Sequence, residues 1–160
     1  MKHNISIVPF EEYANVNFYS IVIDNNINSE IEDFLNKIEN INENDAAKIV
    51  GALDTIGHRG AHERYFRYEG KASDNVFALP AHYLIETDLR LYLLRYSESL
   101  LILGNGGVKK TNTYQEDPYL NKCVTVLQKA DEQIKNLVDS GEIVISGKTI
   151  TGKMDFTIHT

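Results

Sequence analysis

Between Leu89 and Val108 the chain reads LRLYLLRYSESLLILGNGGV, and no other stretch constrains the fold so tightly. Leu89, Leu91 and Leu93 alternate with Arg90, Tyr92 and Leu94, the period-two pattern of a strand with one apolar and one mixed face. Ser97–Ser99 supplies a turn, and Leu100–Leu103 returns as the short apolar run of a buried strand. Gly104–Gly107 then predicts a bend into Val108–Thr111, which delivers Lys109 and Lys110. Paired strands of this kind need further strands beside them and a helical layer over their apolar face.

The rest of the chain supplies both. Ile5–Val8 predicts a short strand ended by Pro9, and Phe18–Asp24 a second one. Asn28 or Ser29 caps a helix whose apolar stripe is Ile31, Phe34, Leu35, Ile38 and Ile41. Asn44 caps another, with Ile49, Val50, Leu53 and Ile56 buried and Gly57 at its end. The short connection makes the two helices antiparallel neighbours. Arg64–Tyr68, Val76–Leu79 and His82–Ile85 read as short strands, punctuated by Gly70 and Pro80. Pro118 opens a long helix to about Val138, with Leu120, Val124, Leu127, Ile134 and Leu137 at core spacing and Gly141 beyond its end. The tail GEIVISGKTITGKMDFTIHT reads as a hairpin turning at Gly147-Lys148. The expected fold class is α+β in a single domain, 1–160: two N-terminal helices on an antiparallel sheet, a long third helix and a hairpin extension at about 141–159.

Charge is unevenly spread in this acidic chain of net charge −7. Residues 1–56 hold three Lys/Arg against ten Asp/Glu, whereas residues 57–110 hold eight against six and include all five arginines. A general nucleic-acid coat is excluded by the total, because non-specific binding rests on cationic neutralisation of phosphates. A local phosphate contact in the middle third is not. No apolar run approaches the roughly 20 residues that cross a bilayer. The start is no signal peptide, and the single Cys123 fits a reducing interior, so a cytoplasmic location is expected.

Several chemistries are excluded by pattern. GNGGVKKT lacks the glycine directly before Lys-Thr that a nucleotide-binding P-loop requires, and the long helix starts too late behind it. Its glycines leave open a nest of amides for an oxyanion, or a plain turn. His58 and His62 stand at i, i+4 without the intervening glutamate of a zinc hydrolase helix, and no metal or cofactor is expected. Cys123 has apolar neighbours and reads as core, and Glu116-Asp117 before Pro118 reads as helix capping. What remains positive is Arg90, Arg95, Lys109, Lys110 and Tyr114, with Arg90 and Tyr92 on one strand face and Arg95 on the other unless a bulge intervenes. A guanidinium grips phosphate in a fork and stays charged near neutral pH.

The order of elements, with LRLYLLRY, LLILGNGG and Val108-Lys109-Lys110-Thr111 followed by a polar stretch, Pro118 and a helix, resembles the RelE-like ribonuclease toxins, particularly the HigB branch and its phage-derived relatives. The resemblance covers about residues 18–136. It implies a metal-independent endoribonuclease that cuts mRNA, often on the ribosome, by attack of the ribose 2′-hydroxyl on the adjacent phosphate. It also implies a cognate antitoxin, often a helix-turn-helix protein. Arg90 matches the arginine of the family's third strand, Lys109 and Lys110 its paired lysines, and Tyr114 its orienting or protonating residue. Arg67, Tyr92, Arg95 and Thr111 are the accompanying candidates for RNA contact. The chain departs from the family in being acidic and longer, and His159 lies beyond an extra hairpin. Two other classes stay open: a catalytically silent interaction module presenting its acidic helices, and a small enzyme on a phosphorylated metabolite.

Overall fold

The structure is a computed structural model and describes residues 1–71 and 73–160. Nine strands and three α-helices follow the chain as β1 (Lys2–Glu12), β2 (Asn17–Ile23), α1 (Glu30–Ile41), α2 (Glu43–Arg59), β3 (Arg67–Tyr68), β4 (Val76–Leu79), β5 (Leu89–Ser97), β6 (Leu100–Val108), α3 (Pro118–Asp139), β7 (Ile143–Ser146), β8 (Thr149–Gly152) and β9 (Asp155–His159). Seven strands form one sheet in the order β3-β4-β5-β6-β2-β1-β9, and β7-β8 is a separate ribbon. The expected α+β class is what the chain adopts. The sheet is mixed rather than wholly antiparallel, because β2 and β6 run parallel from Asn17↔Leu100 to Ser20↔Leu103.

Side-chain alternation distributes the core over two faces. Phe18, Leu89, Leu91, Leu93, Leu101 and Leu103 meet Ile31, Phe34 and Ile38 of α1 and Ile49, Leu53 and Ile56 of α2. Tyr19, Ile21, Tyr92, Leu94, Leu100 and Ile102 meet Leu120, Val124, Leu127, Ala130 and Ile134 of α3 on the other face. Each fully buried aliphatic or aromatic side chain contributes about 1.5–3 kcal/mol of transfer free energy. The α3 side also buries a carboxylate. Asp131 is 1% exposed, accepts from Tyr96 Oη at 2.8 Å and from the backbone and side chain of Asn75, and lies 3.3 Å from Lys135 Nζ.

Local chemistry explains where the elements begin and end. Asp24 and Asn25 take positive φ of 52° and 59° between β2 and α1, a conformation their short polar side chains tolerate. Ser29 then caps α1 in a capping box with Glu32. Asn42, not Asn44, caps α2, because it alone separates the two helices and its side chain accepts from Asp45 N. Gly57 lies inside α2 rather than ending it. The Tyr13 ring rests where a Gly57 Cβ would stand, at 2.4 Å, and the helix stops at Gly60 with φ of 107°.

Other boundaries also moved. β1 passes through Pro9. Ile7 N–H donates away from β2 to Met154 O, so Pro9, of the same parity, lacks its N–H on the side where β9 has already ended. His82–Ile85 forms turns, not a strand, with Leu84 N–H donating to Ala81 O. Glu63–Tyr65 is a 3-10 turn, which leaves only Arg67–Tyr68 as strand. The tail is more than a hairpin: after β7-β8, β9 joins the main sheet against β1 from Lys2↔His159 to Ser6↔Asp155.

The largest correction concerns Gly104–Gly107, which is strand, not bend. All four residues lie buried in β6, and none of the three glycines has positive φ. They are small because neighbours approach closely. A Cβ on Gly106 would stand 1.9 Å from Arg90 O, and one on Gly104 would stand 2.9 Å from Tyr92 O and from the Leu127 side chain.

Candidate functional site

The strand register collects most of the basic and aromatic candidates on the α3 face of the sheet. Arg67 pairs with Ala78, and Ala78 with Tyr92, so Arg67 and Tyr92 lie in one row across β3, β4 and β5. Arg90 lies two residues earlier on the same face, opposite Gly107. Tyr114, just before α3, brings its ring to 6.1 Å from that of Tyr92.

Two buried polar atoms in this group have no partner among the described residues. Arg90 is 9% exposed; its Nη1 donates to Thr87 O at 2.7 Å and Leu89 O at 2.9 Å, but its Nε donates to nothing. Tyr92 is fully buried, and its hydroxyl is likewise unpaired. No carboxylate lies within 4.0 Å of the Arg90 guanidinium among the described residues. Burial and then the neighbouring Arg67 charge pull Arg90 below its ordinary value, with Glu69 and Asp88 opposing at longer range. It stays a cation at neutral pH.

An unsatisfied buried polar group costs about 1–3 kcal/mol, so an acceptor that reached either donor would be stabilised. Arg67 on the same face adds positive charge there, with its Nε donating to Pro80 O at 2.9 Å, so an anionic acceptor would be favoured. Burial, then Glu69, pushes the Tyr92 hydroxyl well above its ordinary value, and burial with Glu69 raises Tyr114. Both remain protonated donors near neutral pH. Tyr92→Phe keeps the ring and removes the unpaired hydroxyl. It is expected to leave stability unchanged or raise it by up to about 1 kcal/mol in urea unfolding.

The remaining candidates divide. Lys109 is half-buried and follows β6 directly, its N–H donating to Asp88 O at 2.8 Å, while Lys110 is exposed. Both stand at the Arg90 end of the sheet. Thr111 donates its hydroxyl to Thr113 O at 2.5 Å. Arg95 is not part of the group. It lies on the α1–α2 face, where Nε donates to Ala61 O at 2.7 Å and Nη1 lies 3.6 Å from Glu63. The amide nest is also absent, because Gly106 and Gly107 pair in the β5-β6 ladder.

A polar crevice adjoins this group, and sequence reading missed it. Beyond Ser20↔Leu103 the β2-β6 ladder ends, while β2 continues with β1 and β6 with β5. The sheet therefore parts at the carboxyl ends of two parallel strands whose following helices, α1 and α3, lie on opposite faces, the position where open α/β sheets hold ligands. Gly104 and Asn105 together oppose Tyr92 as a β-bulge, which aims buried Asn105 into the gap. Asn105 Oδ1 accepts from Lys37 Nζ at 3.0 Å, and its amide donates to Asp33 at 2.8 Å. Lys37 also donates to Tyr119 Oη at 2.6 Å, joining α1 to α3 through the opening.

His3, Asp24, Glu30, Lys122 and Cys123 complete a cavity of about 250 Å³, with His3 Nδ1 2.6 Å from Asp24. Burial pushes the Cys123 thiol up to about 11, so it is no thiolate near neutral pH. Tyr119 is 45% exposed and stands between the two regions, its ring 3.6 Å from the position of a Gly107 Cβ. The bulge was signalled only by an asparagine among glycines. The pairing of Lys37 with residue 105 has no local signature at all.

Burial raises the Glu30 carboxyl above its ordinary value. A carboxyl that holds its proton more tightly when folded adds stability as pH falls through its folded value, and that contribution is missing at neutral pH. Glu30→Gln is therefore expected to raise the urea midpoint at pH 7 and to leave it unchanged at pH 3.

No family model, no curated protein and no solved structure matches this chain. Chemistry at the site must be argued from its own groups. Among the described residues no three His, Cys, Asp or Glu side chains gather as metal ligands. His58 lies 3.5 Å from Asp54, and His62 3.0 Å from Glu98. No described helix is long and apolar enough to cross a membrane.

Proposed function

We propose that this chain binds the phosphodiester backbone of RNA at the Arg90 group and acts as a RelE-like endoribonuclease held in check by a cognate antitoxin. The observation that carries the reading is the unpaired, buried Arg90 Nε beside the unpaired Tyr92 hydroxyl. Both are donors, and a phosphate oxygen would supply the acceptor that each lacks. Lys109 and Lys110 follow β6 directly and would meet the flanking phosphates. Tyr119 is 45% exposed with Lys37 Nζ 4.5 Å from its ring centroid, which adds a cation beside the group. The element order β2, α1, α2, β3, β4, β5, β6, α3 supports the reading, because the resemblance drawn from the sequence expects a strand, two helices, an antiparallel set of strands and a helix.

In this reading the ribose 2′-hydroxyl loses its proton to solvent water and bonds to the adjacent phosphorus as the P–O5′ bond breaks, leaving a cyclic phosphate, and Arg90 stabilises the charge that builds on the equatorial oxygens. Tyr114 donates a proton or hydrogen bond to the departing 5′-oxygen. One observation favours a second reading, in which RNA is bound and not cut: Tyr92 and Tyr114 are both shifted away from neutral pH, which makes them weak proton shuttles.

Induction of the wild-type chain in a bacterial host, with growth and message integrity followed over time, tests the proposal. Growth arrest with new message ends that carry cyclic phosphates, lost in Arg90→Met/Lys109→Ala/Lys110→Ala, is the expected result. Intact messages with retained affinity of the purified chain for single-stranded RNA would select the second reading. Intact messages without that affinity would contradict both.

A further inference from the structure

The outer face of the two N-terminal helices carries an apolar cleft that the chain itself does not fill. Leu35 and Ile38 of α1 and Ala46, Ala47 and Val50 of α2 line it, with Glu39, Asn40 and Glu43 at its rim, around a volume of about 680 Å³. Val50 is 50% exposed and nearby Ile41 46%. An open apolar strip with an acidic rim is the arrangement of a partner-binding groove.

Charge selects the partner. Helices α1 and α2 hold seven acidic residues against Lys37, Lys48 and Arg59. None of these three cations lines the cleft: Lys37 is turned to Asn105 and Tyr119, and Lys48 lies 4.0 Å from Asp45. A second copy of this chain would bring acid against acid, and a nucleic acid would be repelled. Backbone geometry adds an independent sign. Gly57 in α2 is explained by Tyr13, but Gly51 has nothing within 4 Å of its Cβ position although glycine weakens a helix interior. Exposed Ala47 and Gly51, one turn apart beside Val50, leave room for another helix to approach closely.

We propose that the α1–α2 cleft is the docking groove for a basic amphipathic helix of a partner protein. The partner's apolar stripe fills the cleft, and its flanking Lys or Arg side chains meet Glu39 and Glu43. The cleft lies on the opposite side of the sheet from Arg90, so the partner and an anionic ligand can be held at once.

The probe is a pair of designed fourteen-residue helices with the same leucine stripe, one flanked by lysines and one by glutamates. Binding to the full chain is followed by fluorescence anisotropy and by amide chemical shifts. Expected is at least tenfold tighter binding of the lysine-flanked helix, weakened by salt, with shifts centred on residues 35–51. The exposed substitutions Val50→Glu and Gly51→Leu are expected to weaken it at least tenfold, and Val138→Glu on the far helix to leave it unchanged. Equal binding of both helices, shifts centred elsewhere, or full affinity in Val50→Glu and Gly51→Leu would each overturn the proposal, and so would no binding to the wild type.

Discussion

Gly106→Ala is expected to destabilise the fold by about 3 kcal/mol or more, seen as a large fall in the urea midpoint. The added Cβ would lie 1.9 Å from Arg90 O, and the obstacle is backbone in a paired strand, which cannot rotate aside as a side chain can. Relief requires β5 and β6 to separate where Arg90↔Gly107 and Leu91↔Gly106 pair. If Gly104–Gly107 were an exposed turn, the substitution would be nearly neutral, because Gly106 has no positive φ to defend. The experiment thus tests the conversion of a glycine-rich loop into a buried strand, which carries Arg90 to its place.

Arg90→Met is expected to weaken binding of single-stranded RNA by about 10- to 100-fold, the equivalent of the 1.5–3 kcal/mol of a charge-assisted hydrogen bond. Stability is expected to change by less than about 1 kcal/mol. Methionine leaves Thr87 O and Leu89 O without their guanidinium donor, but it also relieves a buried cation that has no ion-pair partner among the described residues. A merely structural arginine would show the reverse, with a large loss of stability and little loss of affinity. Titrations at two salt concentrations separate this contact from the exposed Lys110, whose contribution is screened.

How much of this could be read beforehand depends on the range of the interaction involved. β5, α1 and α3 were legible because alternation and helical periodicity are local, and Ser29 and Pro118 announced their helix starts. The shared face of Arg90 and Tyr92, with Arg95 opposite, followed from strand parity alone. Asn42 was missed because a one-residue joint serves both helices, so two capping signals coincide. Gly57 and Gly106 read as chain breakers, but each is small for a neighbour 44 or 16 residues away in sequence, Tyr13 or Arg90. The parallel pairing of β2 with β6 and the seating of β9 on β1 are long-range choices that no window contains. The crevice of Lys37, Asn105 and Tyr119 exists only because of that pairing, and was therefore invisible.

The central claim is that the Arg90 Nε donor waits for a phosphate oxygen. It is tested most directly by following the arginine Nε–Hε signals of the nitrogen-15-labelled chain while a short single-stranded oligoribonucleotide is added. The account predicts that the Arg90 Hε resonance moves downfield as RNA is added, with Arg95 unmoved. An Arg90 Hε signal that stays in place while RNA binds would contradict it.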